Sequence, residues 1–197
     1  MKIFFDTETT GLLDYKKPYY DDTQPDLVQF AAILTEDDGT IRTTLSFIVN
    51  PVDFTIPTEA SKVHGITNEI AKEYGISLTP ELVTVLSNMF NKANTLVAHN
   101  YTYDKSIMNK LFFKYALKPL DDIKSYCTKE ATTDICELPF SPETKWWPSR
   151  PKYKWPTCQE AYKHFFGEEF KGAHDALNDV RACMAVYFEL ERKAALA

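Results

Sequence analysis

Phe4-Phe5-Asp6-Thr7-Glu8-Thr9-Thr10-Gly11 is the stretch around which the chain is organised. The apolar run Ile3-Phe4-Phe5 reads as a buried strand lying close to the N-terminus. Asp6 and Glu8 follow two residues apart, and alternation along a strand points both carboxylates to one side. Two acids on one face at the end of a core strand repel each other and resist desolvation. A divalent cation removes that objection. Thr9-Thr10-Gly11 then offers hydroxyls, backbone N–H groups and a permissive turn to a polar ligand. In isolation the stretch leaves two readings open: a metal-binding strand end, or two acids that merely finish a strand at the surface.

Composition narrows the field. The 197 residues, 44% hydrophobic, can make one substantial domain, and a single domain over residues 1–197 is expected. With 28 acidic against 22 basic residues the net charge is −6, which disfavours nonspecific duplex binding, since that needs clustered Lys and Arg. Acidic clusters suit hard cations such as Mg²⁺ or Mn²⁺, which can themselves approach phosphate. Cys127, Cys136, Cys158 and Cys183 are scattered with no Cys-x-x-Cys pair, which argues against a zinc knuckle and for reduced, mostly buried thiols. Neither a leader pattern nor a membrane-length apolar run is evident, so a soluble, cytoplasmic protein without membrane contact is expected.

Along the chain, Leu12 to Pro25 is an aromatic and charged loop. Leu27 to Leu34 reads as a central strand, Glu36-Asp37-Asp38-Gly39 as a turn and Thr40 to Val49 as the returning strand, giving a three-stranded meander. Helical signals follow: Thr58 to Val63, stopping near His64-Gly65; Thr67 to about Gly75; and a packed helix from Thr79-Pro80 carrying Leu82, Val85, Leu86, Met89 and Phe90. Thr95 to Ala98 is a short buried strand leading through His99-Asn100 into an amphipathic helix, Tyr103 to Leu117. Asp104 therefore lies in a first helical turn beyond a strand end, where ligands collect in open α/β sheets. Leu120 to Ile123 reads as a fifth strand and Thr128 to Thr133 as a short helix. Beyond the irregular stretch Asp134 to Pro156 come a helix, Thr157 to Phe166, and a long terminal one, Ala176 to Ala195. Asp175 caps that last helix, leaving His174 in the preceding loop and Asp179 one turn inside.

Asp6-Thr7-Glu8-Thr9-Thr10-Gly11, Asn100-x-x-Tyr103-Asp104 and His174-x-x-x-x-Asp179 resemble the three motifs of the DEDDh 3′–5′ exonucleases, most of all the proofreading epsilon-subunit type. His64-Gly65-Ile66-Thr67 resembles a segment of the same branch. Each motif is weak alone, but all three in order are specific, and they span nearly the whole chain. The resemblance implies an RNase H-like fold: an α/β mixed five-stranded sheet, the meander plus two further strands, flanked by helices. It implies that Asp6, Glu8, Asp104 and Asp179 hold two Mg²⁺ or Mn²⁺ ions and that His174 is the general base. Thr9, Thr10, Leu12, His64, Asn100 and Tyr103 stand where relatives touch the terminal nucleotide. Tyr103 is a departure, since relatives usually carry Phe. The chemistry agrees: two cations about 4 Å apart bridge a scissile phosphate and lower the pKa of a bound water from roughly 16 toward 7. An imidazole, whose ordinary pKa is about 6.5, suits the acceptance of that water's proton near neutrality, the role the resemblance gives His174. His99 and His164 read as structural.

Lys145 to Trp155 is the one concentrated basic region, with aromatics interleaved among its charges. It either stacks unpaired bases or packs down as a Pro-rich loop, with Trp155 the tryptophan best placed for the core. The activity implied by the resemblance is removal of nucleoside 5′-monophosphates from single-stranded DNA or frayed 3′ ends. An exoribonuclease or oligoribonuclease with the same chemistry, and an idle nucleic-acid-binding module on the same fold, stay open. A DNA polymerase is a candidate partner, although no obvious tether is visible and a free-standing enzyme is favoured. Oligomeric state is not written in the residues.

Overall fold

The computed structural model describes residues 1–145 and 150–196. Its centre is β1 (Lys2–Thr9), which pairs antiparallel with β2 (Leu27–Thr35); β2 in turn pairs antiparallel with β3 (Ile41–Ile48). On the other edge of β1, β4 (Thr95–Ala98) runs parallel to it and β5 (Ser125–Cys127) parallel to β4. The sheet order β3-β2-β1-β4-β5 is the expected mixed α/β sheet, the meander plus two further strands. Seven helices flank it among the described residues: α1 (Thr58–His64), α2 (Asn68–Tyr74), α3 (Pro80–Asn91), α4 (Tyr101–Lys114), α5 (Thr128–Cys136), α6 (Cys158–Phe166) and α7 (Ala176–Ala194).

β1 is central because it is apolar on both faces, the pattern of a strand covered from both sides. Ile3 and Phe5 point into a core shared with α3 and α4, where Phe5 meets the edges of Phe90 (5.1 Å) and Tyr101 (6.0 Å). Phe4 points the opposite way, into the layer formed by Val180, Cys183 and Tyr187 of α7, with its ring 5.3 Å from Tyr187. Continuing the alternation, Asp6 and Glu8 emerge on the α7 side and Thr7 on the α4 side. Because β4 is parallel to β1, with Phe4 opposite Val97, the chain leaving Ala98 through His99 and Asn100 surfaces at the end where Asp6 does. A third, smaller core of Val28, Ile56, Ile66 and Ala71 seats α1 and α2 beside that same end.

Local chemistry sets the helix limits. Thr67, Thr79 and Asp175 each accept a hydrogen bond from the backbone three residues on, and Thr157 with Glu160 makes a reciprocal capping box. α1 starts from Pro57 with no side-chain cap and stops where Gly65 turns left-handed (φ 76°) and returns its N–H to Ser61.

Four expectations need correction. Leu120 to Ile123 is not the fifth strand: Leu120–Asp122 forms a 3₁₀ turn, because Asn109 Oδ1 takes the Leu120 N–H at 2.8 Å and holds Leu120 down in the core. The strand comes five residues later, at Ser125–Cys127. Val85 does not pack; on α3 the inward positions are Val83, Leu86, Ser87 and Phe90, and Val85 is 61% exposed. Trp155 is no core residue, with 52% of its surface in solvent. Of the four thiols, Cys183 alone is buried, the others half-buried, and all are free. The readings of Trp146 and Trp147 lie outside the described residues. Among those residues, no helix is long and apolar enough to cross a membrane.

Candidate active site

The ends of β1 and β4, the start of α4, the start of α7 and one wall from α1 enclose a cleft of about 600 Å³. Asp6, Glu8, Asp104, His174 and Asp179 all line it, as do Thr9, Thr10, Leu12, His64, Asn100 and Tyr103. Residues separated by up to 173 positions in sequence thus share one cavity.

The four acids arrive by three routes. Asp6 and Glu8 project from alternate positions of β1, and Asp179 comes from the first turns of α7; one carboxylate oxygen from each lies within 4.8 Å of the other two. Asp104 approaches from the opposite layer, in the first turn of α4. Its Oδ1 accepts both the backbone N–H (3.0 Å) and the hydroxyl (2.7 Å) of Thr7. Thr7, lying between Asp6 and Glu8 but facing the other way, therefore fixes the fourth carboxylate to the strand that bears the first two.

Charge crowding among these half-buried acids, with Asp104 fully buried beside them, is severe. Burial, then Asp104, Asp179 and Glu8, push the Asp6 carboxyl well above the usual carboxylate range. Burial and the neighbouring Asp179 raise Glu8 to about 8. Burial raises Asp104 to about 7 despite the two bonds from Thr7, and Asp179 to about 6 despite the N–H donated by His174. Four acids that cannot all ionise beside one another want either protons or a cation. An all-oxygen donor set suits a hard divalent ion, which would relieve the same repulsion. The residues fit such a cofactor.

The loop before α7 is locked in three ways. The His174 backbone is left-handed (φ 67°), which turns its N–H onto Asp179 Oδ2 at 2.7 Å. Asp175 caps the helix through Asn178 N–H. Gln29, buried on β2 directly opposite Glu8, accepts the Ala176 N–H at 3.1 Å and donates to Asp175 Oδ2 at 3.1 Å. One amide thus ties the helix that carries Asp179 to the strand pair that carries Glu8. The motifs give Gln29 and Thr7 no role; for Gln29 the available signal is a polar residue inside the apolar run Leu-Val-Gln-Phe-Ala-Ala-Ile-Leu.

On the opposite wall, His64 uses Nδ1 to accept the Ile66 N–H (3.1 Å), while its buried Nε2 has no hydrogen-bond partner among the described residues. Burial lowers its pKa, so it is neutral near pH 7. Tyr103 shows what its extra hydroxyl does: it donates to the Gly11 carbonyl at 2.7 Å and contacts Thr9 Oγ1, bracing the Thr9–Gly11 turn. His99 bridges Thr128 Oγ1 and the Pro156 carbonyl at 3.0 Å each, and burial lowers it to about 4, so it is a neutral strut, consistent with its structural reading.

Residues 3–187 match the family model RNase T, described as exonuclease. The chain is 30% identical over 196 residues to an uncharacterized exonuclease, CP81, of Escherichia phage 186, covering 98% of this chain and 90% of that one. Its fold is similar to that of E. coli exonuclease I in complex with a dT13 oligonucleotide (TM-score 0.73, 22% identity, 96% of this chain). A zinc-bound exonuclease I complex with single-stranded DNA is similar to the same degree (TM-score 0.74, 22% identity, 98% of this chain). The chain spans about 40% of the length of those solved structures. By its motifs, its matched span and its fold, the chain belongs to the exonuclease family within the DEDDh superfamily, hydrolases that act on nucleic acids.

Proposed function

We propose that residues 1–197 form a single metal-dependent 3′–5′ exonuclease domain that removes nucleoside 5′-monophosphates from single-stranded DNA or frayed 3′ ends. The observation that carries this is the convergence of Asp6, Glu8 and Asp179 oxygens within 4.8 Å of one another, with Asp104 and His174 in the same cleft. Asp6, Glu8, Asp104 and Asp179 would hold two Mg²⁺ or Mn²⁺ ions. When bound, such ions supply an activated water and charge stabilisation for phosphodiester hydrolysis.

The chain's own groups do the rest. His174 stands exposed at the cleft, free to take the proton of the attacking water on an imidazole nitrogen and pass it to solvent. Its backbone N–H meanwhile orients Asp179. The braced Thr9–Gly11 turn, with Leu12, His64 and Asn100, forms the wall against which a terminal nucleotide would rest. Water adds to phosphorus, the P–O3′ bond breaks, and the shortened strand leaves with a free 3′-hydroxyl. DNA is favoured over RNA because the similar solved structures include exonuclease I bound to a dT13 oligonucleotide.

A 5′-labelled single strand incubated with Mn²⁺ tests this. Successive shortening from the 3′ end, stopped by EDTA, is the expected pattern. Label released first as mononucleotide would reverse the polarity, and internal fragments would make the enzyme an endonuclease. A matched RNA strand cut faster than DNA would move the substrate to RNA. Strand bound but left intact would support an idle binding module.

A further inference from the structure

None of the described residues lining the cleft is a Lys or Arg, so any positive side chain that meets a polyanionic strand stands outside it. Asn100 shows where. At φ 80° it begins α4, yet its side chain does not cap that helix. Its Oδ1 instead accepts a hydrogen bond from Lys129 Nζ at 2.7 Å, and the same ammonium sits 4.5 Å from the centre of the Trp155 ring. No ion pair involves Lys129 among the described residues. One of its three donors is used by Asn100, leaving two for an incoming acceptor. Trp155 is half exposed but firmly seated: the next residue, Pro156, is held by His99 through its carbonyl, and Thr157 starts α6 with a capping box. An aromatic plate and an ammonium are thus presented together on a rigid mount at the rim of the cleft.

We propose that Lys129 and Trp155 form a subsite for the nucleotide that precedes the one being removed, its base stacked on the indole and its phosphate bound by Lys129. The subsite rests on the exonuclease reading for the identity of its ligand. It selects unpaired strands, because the indole needs an open base face and a duplex offers none. Asn100 touches both places, which couples occupation of the rim to the geometry of the cleft.

The test measures binding of fluorescein-labelled octathymidylate by anisotropy in Ca²⁺, with the penultimate nucleotide either intact or replaced by a base-less tetrahydrofuran residue. Trp155→Ala should weaken the intact strand about 5- to 100-fold and the base-less strand less than about 2-fold. Trp155→Phe should keep most of the affinity. Lys129→Ala should weaken both strands and lower the slope of log affinity against log salt by about 0.7. Equal losses on both strands for Trp155→Ala, or no loss on either, overturn the stacking role; an unchanged salt slope overturns the role of Lys129. A wild-type protein that binds the strand and discriminates the base, yet never shortens it in Mn²⁺, sinks the exonuclease reading and sustains the subsite. One that shortens it while ignoring the penultimate base does the reverse.

Discussion

Stripping divalent ions from this protein should make it less stable as the pH rises from 5.5 to 8.5. The folded carboxyls of Asp179, Asp104 and Glu8 titrate at about 6, 7 and 8, and that of Asp6 also lies well above its ordinary value. In the unfolded chain all four return to about 4. Between pH 4 and each folded value the native state keeps a proton that the unfolded state has released, so the slope of stability with pH is negative. The stabilisation is complete below the unfolded values and is lost as the pH passes through the folded ones. From pH 5.5 to its folded value, Glu8 alone crosses about 2.5 units, worth roughly 3 kcal/mol. Repulsion is shared within the cluster and solvent at the cleft mouth screens it, so a total of about 2–4 kcal/mol is expected rather than a sum over four acids. For a chain of this length that is a fall in Tm of about 5–15 °C. Scanning calorimetry in EDTA across this range measures it, with Glu8→Gln flattening the curve. Mn²⁺ should raise Tm far more at pH 8.5 than at 5.5, since protons compete for the same oxygens. A Tm that is level or rising with pH in EDTA, or an equal effect of Mn²⁺ at both ends, would refute the reasoning.

Three substitutions test individual side chains. His174→Ala should cut kcat by roughly 10²–10⁴ and leave Mn²⁺ affinity intact; a rate unchanged from pH 6 to 9 excludes the imidazole as base. Thr7→Val removes the hydroxyl that favours ionised Asp104, so the acid limb of the activity profile should move to higher pH, and an unmoved limb contradicts that role. Gln29→Leu leaves Ala176 N–H and Asp175 Oδ2 without their partner, and should weaken Mn²⁺ by about 10- to 100-fold in a still-folded protein. Undiminished affinity in that variant would show that Asp175 capping alone positions α7.

Much of this molecule is legible in its letters because the decisive signals are local. Alternation along Phe4–Glu8 assigns Phe4, Asp6 and Glu8 to one face, and a cap at Asp175 fixes the phase of α7, hence of Asp179. What escaped depends on contacts between distant residues. Ser125–Cys127 looks like no strand, yet it pairs with Leu96–Ala98 once Asn109 has held Leu120 in a turn just upstream. Val85 satisfies a helical spacing but falls on the outer side of α3, since spacing gives the period and neighbours choose the face. Trp155 invites burial by its size, yet His99 holds the adjoining chain at the cleft rim and leaves the ring outside. Gln29 and Thr7 belong to the same class: their importance lies in partners 146 and 97 positions away.

The most direct measurement is a calorimetric titration of Mn²⁺ into metal-stripped protein at pH 8, wild type beside Asp6→Asn. Carboxylates gathered from β1, α4 and α7 to hold divalent ions should bind two per chain with release of protons, and Asp6→Asn should abolish tight binding while the fold survives. No binding heat in the wild type, or the same isotherm in both proteins, would contradict the account.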